Sequence, residues 1–314
     1  MNPNVITLFI VNNLHRVSDF FENSSIYKYW QPLSLIYTKE MADTFRLIHQ
    51  ACQFIAITSK SVFPPRYDDS HTTFFWNYNN NCFVSEWMHF EKTFRLEVDP
   101  VKLRINIVNY GGEELASLKM IGRTRKEVYG QLRQMLTTAG IKVEHFATDM
   151  HYDLPEHSVF KGGKYLIINK DLNQEISKYY SNAYLVLNNL KGMMPASEEI
   201  RCWPHHFDIT FDNKINYPDS DNYYVLTSGF SPSDGILEKP FFYVGLKNIG
   251  FNTFSEKFKL TYGKWMTGEL TGTYLCISSL LCVEKMEKQV DILLHFFNES
   301  LTRFSALAAL KLSS

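Results

Sequence analysis

The densest group of chemically capable side chains in the sequence is the run RCWPHHFD at residues 201–208, which we call the motif. Apolar and polar residues alternate within it, as in a strand whose successive side chains point to opposite faces. The alternation predicts a polar face that carries His206 and Asp208 and an aromatic face that carries His205. Pro204 cannot donate a ladder hydrogen bond, so it predicts a strand start, an edge or a bulge, and a bulge would exchange the two faces.

His206 and Asp208 are predicted to be an acid/base pair. A carboxylate beside an imidazole fixes its tautomer and raises its basicity, which a general base requires. The alternative is a buried polar pair that holds two strands together, because buried polar groups need partners in any case. His71, in the run DDSHT at residues 68–72, is the third predicted catalytic residue. We expect its ring and that of His206 to line one solvent-open cavity.

The same three residues, His71, His206 and Asp208, are also candidate ligands of a divalent metal. Imidazole and carboxylate groups suit zinc, iron or manganese, and three protein ligands plus water make a catalytic arrangement. Asp69 and Asp234 are further candidate ligands. None of these residues shows a diagnostic spacing such as His-Glu-x-x-His, so a metal-free site is the alternative.

Aromatic residues in and around these runs predict a wall on which a ring-shaped or planar ligand could stack. The alternative is that the same aromatics fill the core of a sheet. A rigid turn is expected to hold the carboxylate of Asp234 at the rim of the pocket. The predicted ligand-binding residues are Trp76, Trp203, His205, Asp234, Tyr243 and Trp265.

The composition limits the class of protein. A formal net charge of -1 over 314 residues provides no basic field for nucleic acid. The five cysteines are widely spaced and include no CxxC pair, so neither a disulfide framework nor a zinc finger is indicated. The first residues lack a basic segment, and the apolar run at 5–11 is too short to span a membrane. We therefore expect a cytoplasmic protein without nucleic-acid or membrane partners.

Helical and strand patterns alternate along the chain and predict an α+β fold, with antiparallel sheets packed against long helices. The expected helices cover residues 38–59, 124–139, 171–190 and the segment from about 284. Strands at 94–98 and 103–107 should form a hairpin. Thr124 and Glu127 have the spacing of a capping box, which places a helix start at this point.

The two halves of the sequence follow the same order of a long helix, a proline stop, a strand with His and Trp, further strands and a closing helix. The order predicts two similar lobes at 30–165 and 166–314, after an N-terminal extension at 1–29. The motif falls in the second of these lobes. The alternative is chance, since a helix followed by strands is a frequent order.

With these runs in view, the chain from about Trp30 onward resembles a bacterial family of uncharacterised proteins, a domain of unknown function. The resemblance depends on five stretches: Asp68–Thr72 with Trp76, Ile200–Asp208, Gly229–Asp234, Pro240–Val244 and Gly263–Trp265. Family members often have a histidine directly after Gly-x-Trp, where this chain has Met266. The family implies no activity, so the resemblance supports the choice of motif residues and leaves the function open.

Two functional hypotheses follow from these patterns. The first is a protein with an aromatic-walled His/Asp pocket for a small polar molecule, which acts as an acid/base or metal-assisted enzyme. The second is a non-catalytic binding or structural protein, in which the same His, Asp and Trp residues only stabilise the contact between the lobes. A solvent-open cavity at these residues would favour the first hypothesis, and their full burial would favour the second.

Overall fold

The structure, a computed structural model, describes residues 26–141, 146–194, 197–216, 223–233, 237–247, 259–266 and 271–311. The described residues form six helices and two antiparallel sheets, which confirms the predicted α+β class. The helices are α1 (Ile26–Tyr29), α2 (Lys39–Val62), α3 (Arg125–Thr138), α4 (Lys170–Met193), α5 (Ser278–Leu281) and α6 (Met286–Lys311). The strands are β1 (Phe75–Asn77), β2 (Cys82–Val84), β3 (Met88–His89), β4 (Thr93–Asp99), β5 (Arg104–Asn109), β6 (Glu114–Lys119), β7 (Arg201–Cys202), β8 (Ile209–Asn216), β9 (Tyr223–Ser231), β10 (Phe241–Lys247), β11 (Lys264–Met266) and β12 (Thr271–Cys276).

Contacts within the chain divide it into two compact units. The motif unit consists of Tyr37–Ser181 and Arg201–Asp208. The terminal unit consists of the described parts of Met1–Ile36, Asn182–Ile200 and Ile209–Ser314. These bounds do not coincide with the predicted lobes, and the motif belongs with the earlier part of the chain instead of the later half.

A short backbone pairing joins the motif to the earlier part of the chain. The Cys202 N–H donates to the Phe74 carbonyl at 2.7 Å, and the Phe74 N–H donates to the Cys202 carbonyl at 3.2 Å. Both side chains are fully buried. A pairing between residues so far apart in sequence leaves no local pattern, so the sequence could not indicate it.

The sheet of the motif unit has the order β1-β2-β4-β5-β6, with β3 on the side of β4, and all its pairs are antiparallel. The predicted hairpin is confirmed as β4 and β5, in register from Phe94 opposite Asn109 to Asp99 opposite Arg104. The Asp99 carboxylate accepts the backbone N–H groups of Val101 and Lys102, both at 2.9 Å, and so closes the turn.

Local signals account for the starts of α2 and α3 in the motif unit. At the start of α2, the Thr38 hydroxyl accepts the Met41 N–H at 3.2 Å, and two prolines follow the end of the helix. At the start of α3, the Thr124 hydroxyl accepts the Glu127 N–H, and the Glu127 carboxylate accepts the Thr124 N–H at 2.7 Å. The predicted capping box is therefore confirmed.

In the terminal unit, five strands lie side by side in the order β11-β12-β10-β9-β8. Helix α6 packs on β10 and β12, and the Trp30 indole N–H donates to the Gln289 side chain of α6 at 3.2 Å. The last four residues of the predicted extension 1–29 form α1, in which Ile26 is fully buried, and residues 1–25 lie outside the described part. None of the helices that the structure describes carries a stretch long and apolar enough to cross a bilayer.

Candidate functional site

The motif forms a closed turn, and the predicted strand at this position is wrong. Pro204, His205 and His206 make a single helical turn, and the β8 strand begins only at Ile209. The Phe207 N–H donates to the Trp203 carbonyl, four positions earlier, at 2.7 Å. Phe207 has a φ of 61°, so it ends the turn in the left-handed conformation, as helix C-termini often do. A proline is favoured at the first position of such a turn, because its fixed φ suits the turn and its missing N–H would have no partner there.

The two polar residues of the motif have different surroundings. His206 is exposed, whereas Asp208 is only 8% exposed, and its backbone carbonyl accepts the Trp203 N–H at 2.9 Å. The strand face that was predicted to carry both side chains does not exist, because the residues lie in a turn. His205 is half-buried, and its ring centroid lies 4.2 Å from that of His206.

Side chains of α2 and α4 hold this turn in place. The His49 Nε2 and the Gln53 Nε2 both donate to the Pro204 carbonyl, each at 2.7 Å. The Tyr180 hydroxyl donates to the Phe207 carbonyl at 2.6 Å. The Phe207 ring stacks on the His49 ring at 4.8 Å and 6°. These contacts offset the strain of an aromatic residue at positive φ, which is on the order of 1–3 kcal/mol.

His49, on α2, is a buried histidine that serves as a core group. Burial lowers the pKa of His49 to about 4, although its hydrogen bond to the Pro204 carbonyl raises it. The ring is therefore neutral at pH 7. The signal that could have revealed it is the group of polar residues His49, Gln50 and Gln53 within a helix that is otherwise apolar there.

Three imidazoles and one carboxylate come together beside the motif turn. The His151 Nε2 lies 3.0 Å from the Asp69 Oδ2, and both side chains are about half exposed. The ring of Tyr152 lies 5.4 Å from that of His151 and 5.7 Å from that of His205. Burial, and next the charge of His206, lower the pKa of His205 to about 4, so it is neutral at pH 7. Asp69 had been a reserve candidate, whereas the sequence offered no signal for His151, which lies in a turn-rich segment.

A cavity of about 740 Å³ opens next to this histidine cluster. Tyr152 and Phe160 supply aromatic walls, and Gln53 and Arg125 line it as well. The Tyr152 hydroxyl donates to the Gln53 Oε1 at 2.9 Å, and Gln53 in turn holds the motif turn. The cavity and the motif are thus connected through two side chains.

The predicted metal ligands are not assembled into a site. His71 is 6% exposed in the 3-10 turn Ser70–Thr72, and its Nδ1 accepts the Arg66 N–H at 3.2 Å. No group of three His, Cys, Asp or Glu side chains in the described ranges is placed to hold a metal ion. The set of His71, His206 and Asp208, all within those ranges, is therefore not such a group.

The predicted aromatic wall is divided among different places. Trp76 is 3% exposed, and its indole N–H donates to the Ser181 hydroxyl at 3.2 Å, so it is a core residue. Tyr243 is buried in β10, and the Trp265 ring packs edge-on at 5.5 Å against Phe304, both within the terminal unit. Among the predicted wall aromatics in the described ranges, only Trp203 lies beside His205, with 6.0 Å between the two ring centroids. Asp234 lies outside the described residues.

Comparisons with protein-family models, with curated proteins and with solved structures found no match for this chain. The resemblance to a bacterial family therefore stays a prediction. The function has to be inferred from the geometry of the motif unit.

Proposed function

We propose that the chain is a cytoplasmic protein that binds a small polar molecule in the cavity of the motif unit. The observation that carries the proposal is the position of Tyr152, which lines the cavity and contacts the rings of both His151 and His205. A ligand in the cavity would therefore contact a side chain that itself packs on both imidazoles. The five cysteines are all free, which fits a reducing compartment.

We further propose that His151 and Asp69 supply acid/base chemistry to the bound molecule, in place of the predicted pair of His206 and Asp208. Asp69 lies at ion-pair distance from one ring nitrogen of His151, and among the described residues nothing hydrogen-bonds the other nitrogen. This arrangement orients an imidazole for proton transfer. Neutral His205 adds a polar contact without adding charge, and His206 remains at the exposed side of the cluster.

Binding without chemistry is the second candidate function. It is favoured by the fact that the most buried members of the site serve the turn: His49 and Gln53 donate to the Pro204 carbonyl, and Phe207 stacks on His49. The two candidates differ in what happens to a bound compound. Conversion of that compound requires His151, whereas binding alone requires only the cavity wall.

Backbone amide NMR spectra of the whole protein with a set of neutral sugars, alcohols and amides at millimolar concentration test the proposal. Binding should shift the amides of Tyr152 and Phe160, and Tyr152→Ala should abolish the shifts, whereas the exposed control Tyr67→Ala should keep them. If neither these neutral compounds nor small acids of similar size shift these amides, the proposed cavity function is wrong. Each compound that binds is then followed over time: conversion that His151→Gln stops supports the enzyme, and binding without conversion supports the second candidate.

We also propose that two successive segments of the chain arose by internal duplication. Each segment contains a long helix, a series of sequentially adjacent antiparallel strands and a closing helix, in the same chain order. The α2 to α3 segment would correspond to the α4 to α6 segment. Superposition of the two segments from an experimentally determined structure tests this, and a different strand order would contradict it.

A further inference from the structure

Arg125 is a half-buried cation at the cavity wall. Its guanidinium lies over the ring of Phe160 at 5.2 Å, and its side chain makes no hydrogen bond or ion pair with any residue that the structure describes. Some other half-buried arginines of the same unit have carboxylate partners, whereas Arg123 donates to the Lys119 carbonyl. Arg95 pairs with Glu97 at 2.6 Å, and Arg201 pairs with Glu86 at 3.1 Å.

A partly desolvated guanidinium is best satisfied by an oxyanion, because its fork of N–H groups matches two oxygens of a carboxylate or phosphate. The aromatic face below it restricts the orientation of this fork and leaves its edge available to a ligand. Arg125 is also the first residue of α3, whose start is already capped by Thr124 and Glu127. An oxyanion in the cavity would therefore serve the guanidinium and not the helix end.

The other charged residues of the cavity limit the number of negative charges that a ligand can carry. Lys161 is already paired with Glu156 at 3.1 Å, so it is not free for a ligand. Asp149 and Asp153 also line the cavity, and their carboxylates repel any negative group that the Arg125 guanidinium does not contact directly. The wall therefore suits one anionic group and disfavours a polyanion such as a nucleic acid.

We propose that Arg125 binds the oxyanion of the cavity's ligand, and that this ligand is a small monoacid whose apolar or ring-bearing part packs against Phe160 and Tyr152. This inference rests on the proposed function, because it names the ligand class of the same cavity. A carboxylate and a phosphate monoester share the required chemistry, and the test includes both.

The test compares benzoate and phenyl phosphate with the neutral benzamide, which has the same ring, in titrations of the whole protein. Shifts of the Phe160 and Tyr152 amides report binding, and at least one of the two acids should bind about tenfold more tightly than benzamide. Arg125→Gln should remove this preference, and Arg125→Lys, which keeps the charge without the fork, should retain part of it. Arg133→Gln, on the exposed side of the same helix, is the matched control and should change nothing.

Equal affinity for the acids and the amide in wild-type protein would overturn the role of Arg125. The proposed function would still hold, because it requires only that an acid or the amide binds in the cavity. A preference that persists in Arg125→Gln would also overturn it. If none of the three probes binds, this inference is wrong, and the proposed function is then decided by the neutral compounds of its own test. Dispersed amide spectra of each variant show that it is folded.

Discussion

The imidazole of His49 is buried and donates a hydrogen bond to the Pro204 carbonyl. Its pKa of about 4 in the folded protein lies below the ordinary value of 6.5. Above pH 6.5 the ring is neutral in both states and has no effect on pH dependence. As the pH falls from about 6.5 to about 4, only the unfolded chain takes up the proton, so the stability decreases over this range.

We predict that the free energy of unfolding falls by about 2 kcal/mol from His49 alone between about pH 7.5 and about pH 5. His49→Gln keeps a donor for the Pro204 carbonyl and cannot be protonated, so it should reduce the pH dependence by that amount. Urea unfolding at the two pH values measures the difference. His89→Gln, at an exposed position, is the control. A pH dependence that is the same in His49→Gln and wild type would contradict the assignment.

The segment 157–165 is the element that places Phe160 at the cavity. Its backbone turns at Ser158, whose carbonyl accepts the Gly163 N–H at 2.8 Å. The Tyr165 N–H then donates to the Arg123 carbonyl at 2.9 Å, directly before α3. This pairing brings the Phe160 ring to the first residue of the helix. The wall of the cavity thus depends on a turn that only a residue without a side chain can close.

Two glycine substitutions, one in this turn and one inside α3, test whether the turn requires a residue without a side chain. A Cβ on Gly163 would lie 2.8 Å from the Ser158 carbonyl oxygen, whereas a Cβ on Gly130, inside α3, meets nothing within 4 Å. We expect Gly163→Ala to destabilise the protein by about 1–3 kcal/mol and to shift the Phe160 amide. Gly130→Ala should stabilise it by about 0.5–1 kcal/mol, because alanine favours a helix. Thermal unfolding measures both, and a gain in stability from Gly163→Ala would contradict the described turn.

The chain passes from one unit to the other more than once. The motif returns to the unit of α2 after the chain has already contributed Asn182–Ile200 to the terminal unit. Within the motif unit, Cys202 and Phe207 are among the fully buried residues, and Phe207 packs on His49, Phe74 and Phe83. Part of this core is therefore supplied from the second half of the sequence.

We predict that residues 1–165 do not fold alone, because they lack Cys202, Phe207 and the part of α4 that belongs to the same core. Expressed separately, this fragment should have poorly dispersed amide spectra. Co-expression with residues 166–314 should yield a complex with the dispersed spectrum of the intact chain. A well-dispersed spectrum of the fragment alone would contradict the division into units.

Some features were predictable because their causes are local. The capping box at Thr124, the end of α2 before its prolines and the hairpin of β4 and β5 depend on residues a few positions apart. The motif was recognised as a dense group of polar residues for the same reason. Its conformation was predicted wrongly, because the alternation of apolar and polar residues favours a strand, whereas Pro204 favours the first position of a helical turn.

The sequence by itself thus determined the α+β class, most helices and the region in which to look for a site. Only the tertiary structure decided which groups meet there. Asp69, Arg125 and the adjacent pair His151 and Tyr152 lie in three separate segments, and backbone pairing with packing against α2 brings them together. Such contacts depend on the path of the whole chain, whereas periodicity and capping depend on residues that are close in sequence. Sequence patterns therefore reveal helices, strands and caps, but not contacts between distant segments.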